Sequence, residues 1–252
     1  RKFKNNYINP EFYLGISKAD RKTDDLSDSL SSFNDSQAYL SEILQVKVHN
    51  VFYLSDQDIV ISGIDYLNES GSFNLELSGS DTVFAKKGES HLGIYAHYQK
   101  DLSPFILNLG VRTENHKSNM NTVFKIGPSF LLADYKLKIY SLFSTGFKTP
   151  SLYQLHSQYG NINLQSETSS HLEFGVEQKI NQGLYKISVF KTDIKNLIDV
   201  TGNFPNYLYE NSSAIIIKGI AFESKFSLLP KYLDYHISAQ KLYAINKATG
   251  AY

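Results

Sequence analysis

The sequence predicts an all-β chain, in which about eleven antiparallel strands make part of a larger transmembrane β-barrel. Three observations predict it. Apolar and polar residues alternate with a period of two through segments of ~10 residues, the length that a barrel strand needs to cross a bilayer. Short connections interleave with long polar ones, as in a meander with tight turns at one rim and loops at the other. Apolar residues make up 42% of the 252, yet runs such as 130–133 and 214–217 stop at four, against the roughly 20 of a spanning helix.

Taken in order, residues 11–21 set Phe12, Leu14 and Ile16 on one side. The polar, acidic run 20–37 reads as a long loop. Residues 41–55 place Leu44, Val46, Val48, Phe52 and Leu54 opposite Gln45, Lys47, His49 and Tyr53. A turn at 56–58 leads into a strand over 59–68, and a second polar loop is expected over 69–88. Leu92, Ile94, Ala96 and Tyr98 then oppose His91, His97 and Gln99, and DLSP turns the chain. Phe105, Leu107, Leu109 and Val111 oppose Asn108, Gly110, Arg112 and Glu114, followed by a loop at 116–121. Phe124, Ile126, Phe130 and Leu132 align before a turn near Asp134.

The stretch 135–178 reads as two strands around a long connection rich in aromatics, Asn and Gln. Leu137, Ile139, Phe143 and Phe147 share a face of the first; Leu172, Phe174, Val176 and Ile180 share a face of the second. Beyond it, turns at 181–183 and 229–231 and a loop at 201–213 separate three more strands. Ile216, Ile220, Phe222, Phe226 and Leu228 line one of them; Leu233, Tyr235, Ile237, Ala239 and Tyr243 line the last. Tyr13, Tyr53, Tyr66, Tyr98, Phe105, Tyr135, Phe147, Tyr185, Tyr232 and Tyr243 lie near strand ends. That placement suits aromatic girdles at lipid–water interfaces, although strands favour aromatics anyway.

Charge and composition exclude several functions. Lys+Arg 25 balances Asp+Glu 25, without the basic excess that a nucleic-acid partner requires. No cysteine is present, which removes disulfides and thiolate metal sites. The seven histidines, His49, His91, His97, His116, His156, His171 and His236, show no HExxH-type spacing. They read as polar residues facing a lumen, with no metal site and no cofactor assigned. No GxSxG elbow occurs and no catalytic residue is assigned, so the chain reads as a non-enzyme.

The words GFKTPSLYQL, YGNINL and ETSSHLEFG resemble the strand–loop–strand signature of TonB-dependent outer-membrane receptors, the cobalamin receptors in particular. Ile162 and Ser166 stand where that family commonly has Pro. Further likeness lies in Arg112, Glu114 and His116, in Phe190, Asp193, Leu197 and Ile198, and in Tyr209, Asn211, Lys218, Gly219 and Glu223; Ala221 departs from the usual acidic residue.

The resemblance implies a barrel of roughly 22 strands with its lumen filled by a separate plug domain. Residues 1–252 would then be part of the C-terminal barrel domain, with the plug and the final strands outside the chain. It further implies a bacterial outer-membrane location among lipid and import of a scarce, large ligand, cobalamin or another metal chelate such as a ferric siderophore. TonB would supply the energy through the plug. A passive porin or a surface adhesin is the alternative.

For ligand contact the sequence offers Tyr153, Gln154, His156, Tyr159 and Asn161, whose flat apolar faces and hydrogen-bonding tips suit a large ligand of mixed polarity. The same motif would also serve as packing at the barrel rim. Asp20, Asp24, Asp25, Asp28 and Asp35 could gather around calcium, as in some cobalamin receptors, but such a run is more commonly a solvated loop.

Overall fold

The computed structural model describes residues 9–25, 35–77, 80–116, 119–203, 206–229 and 233–247. Among them are eleven strands: β1 Asn9–Asp25, β2 Asp35–Tyr53, β3 Asp58–Leu77, β4 Ser80–Leu102, β5 Phe105–His116, β6 Asn119–Leu132, β7 Leu137–Lys148, β8 Glu167–Ile180, β9 Gly183–Asn203, β10 Asn206–Leu229 and β11 Leu233–Asn246. A 3₁₀ turn, Ala133–Tyr135, joins β6 to β7, and a short helix, α1 Leu152–His156, lies between β7 and β8. Every strand pairs antiparallel with its sequence neighbours, in the order β1 to β11. None of the described helices is long and apolar enough to cross a membrane.

Register puts the apolar sides of neighbouring strands on one face. Phe12 pairs with Val48, Val48 with Ile64 and Ile64 with Ile94. Further on, Ala96, Val111 and Phe124 make one row, and Phe174, Val189 and Ile220 another. These side chains are well exposed, Phe12 at 77%, Ile94 at 58% and Phe174 at 53%. A continuous exposed apolar face of this extent marks a surface made for a nonaqueous neighbour. Gly127 and Pro128 of β6 have no partner in β7, though register resumes at Ser129; Pro has no N–H to give the ladder.

The sheet is curled. The ring of Tyr153, in α1, lies 5.4 Å from Phe73 of β3 and 6.2 Å from Tyr209 of β10. Seven strand spacings separate β3 from β10, roughly 34 Å if the sheet were flat. One side chain touches both, so the sheet wraps around the connection, with the apolar face outside and the polar face within.

Several connections expected to be long loops are strand instead. β1 continues to Asp25 and β2 begins at Asp35; β3 and β4 leave only 78–79 between them, β5 and β6 only 117–118, and β9 and β10 only 204–205. In β1 and β5 the added residues are polar on both faces, so no hydrophobic alternation announces them; in β3 Phe73, Leu75 and Leu77 do alternate with Ser72, Asn74 and Glu76, but next to Gly and Ser residues that read as a loop. The backbone ladder continues with polar rungs: Ser36 Oγ donates to Asp24 Oδ1 at 2.6 Å, and Thr201 Oγ1 to Glu210 Oε2 at 3.0 Å. Asp28, Lys117, Phe204, Pro230 and Tyr232 lie outside the described residues.

The aromatic expectation holds in part. Tyr98, Phe105 and Tyr185 sit on the apolar side beside the short turns, and the Tyr98 hydroxyl reaches Asp58 at 2.6 Å. Tyr13 and Tyr53 alternate onto the polar side; Tyr13 is the Cα partner of Lys47, whose ammonium lies 6.0 Å from its ring.

Candidate functional site

The polar face carries charge in linked groups. Arg112 binds Glu114 at 2.6 Å and Asp65 at 3.4 Å, and Lys47 lies 3.7 Å from Asp65. Gly93 makes room for the Arg112 guanidinium, since a Cβ there would lie 2.5 Å from Nη2. A second group joins Glu173 to the Tyr140 hydroxyl at 2.7 Å, Lys186 at 3.6 Å and His171 at 3.5 Å. Such a lining is wet, and His171 also meets the Thr192 hydroxyl, its Nδ1 lying 2.9 Å from Thr192 Oγ1.

Across this face runs the connection between β7 and β8, and its sequence explains its shape. Ser151 caps α1, accepting from the Gln154 N–H at 3.2 Å, while the Gln154 side chain accepts from the Ser151 N–H at 3.0 Å. This capping box satisfies two helix-end donors. Leu152 and Leu155, three residues apart on one side, are buried at 8% and 2% exposure. Gly160 then packs against the helix end, where a Cβ would come within 2.7 Å of the His156 nitrogen.

The rest of the connection is stitched to β10. Tyr209 N–H donates to the Tyr159 carbonyl at 2.9 Å, and Asn161 Nδ2 donates to the Tyr209 carbonyl at 3.0 Å. Asn211 Oδ1 accepts from Gln165 N–H at 2.8 Å, while its Nδ2 donates to the carbonyls of Gln165 and Asn196. At the base, Glu167 takes Lys148 at 3.1 Å and the Ile198 N–H at 3.1 Å. The register irregularities of β10 fall between Asn211 and Ser213 and between Ser213 and Ile215, just past the residue whose side chain holds the connection while its backbone still pairs with Ile198.

All five sequence-predicted residues lie in this one connection, in two chemical roles. Gln154 closes the capping box with its side-chain oxygen, and Asn161 uses its amide to tie the connection to β10 and to accept from the Asn163 N–H. Tyr153, His156 and Tyr159 are half-buried. Tyr153 makes edge contacts to Phe73 and Tyr209, and Tyr159 to Tyr207 at 5.7 Å. Burial pushes the Tyr153 phenol above its ordinary pKa, with Tyr209 and Tyr159 adding to the shift. The result is an aromatic seat of rings from β3, α1 and β10 at the loop end of the polar face. Phe73, Tyr207 and Tyr209 were not singled out for it by sequence, because no spacing links residues brought together by curling. Of the acidic run, Asp20 and Asp24 lie on β1, across from Leu40 and Ser36.

A family model of the TonB dependent receptor-like β-barrel matches residues 2–250. The chain belongs to this family. Within the TonB-dependent receptor family, it is 23% identical over 220 residues to the vitamin B12 transporter BtuB of Vibrio cholerae, covering 85% of this chain and 34% of that protein. The chain thus spans about a third of the length of the curated relatives it matches. Its fold is shared with the ferric yersiniabactin uptake receptor FyuA of Yersinia pestis (12% identical, TM-score 0.74, 98% of this chain and 42% of that one). It is also shared with the copper transporter OprC (12%, TM-score 0.75, 96% and 44%) and the siderophore receptor PirA of Pseudomonas aeruginosa (18%, TM-score 0.65, 93% and 48%). The family is one of receptors and transporters rather than enzymes.

Proposed function

We propose that this chain is barrel wall of a bacterial outer-membrane receptor that imports cobalamin or a metal chelate of similar size, with energy supplied by TonB through a plug domain. The likeness to BtuB across most of the chain carries this reading. The apolar face suits contact with outer-membrane lipid, and the polar face suits a water-filled or plugged lumen. Tyr153, His156 and Tyr159 would present rings toward a large ligand, while Gln154 and Asn161 hold the loop that carries them.

Whole-cell uptake tests it. Deleting the gene, or abolishing TonB, is expected to stop uptake of labelled cobalamin at limiting concentration. Uptake that survives loss of TonB but not of the gene would show a passive channel. Uptake of ferric chelates alone would move the ligand to the siderophore class.

A further inference from the structure

The polar face holds one grouping that sequence spacing does not reveal. Glu69 of β3 is the Cα partner of Glu89 of β4, so two carboxylates face each other across a single rung. Like charges so placed cost free energy unless a cation stands between them. His91, two residues beyond Glu89 on the same side, completes the group: one ligand atom from each of Glu69, Glu89 and His91 lies within 4.8 Å of the other two. Glu89 and His91 are each only 7% exposed.

Two neighbours fit this group to an ion. His91 Nδ1 lies 3.5 Å from Glu114 Oε1, and Glu114 is itself fixed by Arg112 at 2.6 Å. A carboxylate on one imidazole nitrogen aims the other and raises its basicity, as around metal-ligating histidines. Glu69, His91 and Glu114 also line a cavity of about 190 Å³, room for an ion with water on its open side.

We propose that Glu69, Glu89 and His91 bind a divalent transition-metal ion of the Zn²⁺ type, resident in the barrel wall and distinct from any transported cargo. One nitrogen and two carboxylate oxygens suit Zn²⁺. Ca²⁺ asks for six to eight oxygens, and Cu(I) for sulfur. Ligand atoms held at about 2.1 Å from one ion lie at most about 4.2 Å apart, so a small side-chain rotation closes the set. The ion would brace β3 against β4 just below Gly71 and Phe73, which seat Leu152 and Tyr153. Glu114 acts as a positioning residue.

The test uses the full-length protein carrying this chain, purified in detergent, stripped with EDTA and dialysed against labelled Zn²⁺. The wild type is expected to retain about one ion per chain. Glu69→Gln, Glu89→Gln and His91→Ala should each weaken binding at least ~10-fold, and Glu114→Gln about 10–100-fold. The heat-dependent gel shift of a folded barrel is scored for each variant. Glu69→Gln, at the half-buried position, carries the test where His91→Ala fails to fold. A wild type that binds no more Zn²⁺ than the Glu69→Gln, Glu89→Gln double variant overturns the proposal, as does displacement of the label by equimolar Ca²⁺.

Discussion

Tyr153 is the residue on which the aromatic seat turns, because its ring touches both Phe73 of β3 and Tyr209 of β10. Each edge-to-face pair contributes about 0.5–1.5 kcal/mol beyond burial. Tyr153→Ala is therefore expected to cost about 2–4 kcal/mol in urea or thermal unfolding, and Tyr153→Phe less than about 1 kcal/mol. An unchanged midpoint in Tyr153→Ala would mean the ring is not seated. The phenol's pKa is raised in the folded state, so the stability it adds is full below its unfolded value of about 10 and is lost as pH rises through the folded value. A difference absorbance titration of wild type against Tyr153→Phe should accordingly show a step later than that of free tyrosine.

Among elements, the β7–β8 connection behaves as a built unit held by Asn211. Asn211→Ala removes three hydrogen bonds to the backbone of Gln165 and Asn196, a loss of about 1–3 kcal/mol. Limited proteolysis should then cut between residues 157 and 165, where the wild type resists; equal resistance would contradict the latch. This element also shows what the chain itself could announce. The faces of β2, β4, β5 and β8 were readable because each strand alternates against one apolar neighbour. In sequence the stretch holding α1 reads as connection alone, because five helical residues leave too little periodicity to outweigh a loop composition. The outer end of β1 was hidden, since polar residues on both faces carry no period, while the alternation of Phe73, Leu75 and Leu77 in β3 was present but masked by the Gly and Ser around it. The Glu69–Glu89 pairing was hidden too, because cross-strand register is set by the turn and not by spacing along the chain.

For the whole molecule, the central claim is that one side of the curled sheet meets lipid and the other meets water. On β9 the outward positions run Tyr185, Ile187 and Val189, then turn charged at Lys191 and Asp193, 2.8 Å apart; that change marks the upper edge of the apolar band. Val189→Arg should cost about 2–4 kcal/mol when the full-length protein folds into vesicles. Gln99→Arg, on the polar face, should stay within about 1 kcal/mol; equal penalties would argue against a lipid side. Spin labels can be placed one at a time from His91 to Gln99, at single cysteines introduced into a cysteine-free background of the membrane-embedded protein. Paramagnetic relaxation there is the most direct measurement. Oxygen should dominate at Leu92, Ile94, Ala96 and Tyr98 and a water-soluble nickel chelate at the alternate positions, whereas accessibility without a two-residue period, or nickel dominance on both faces, would contradict the account.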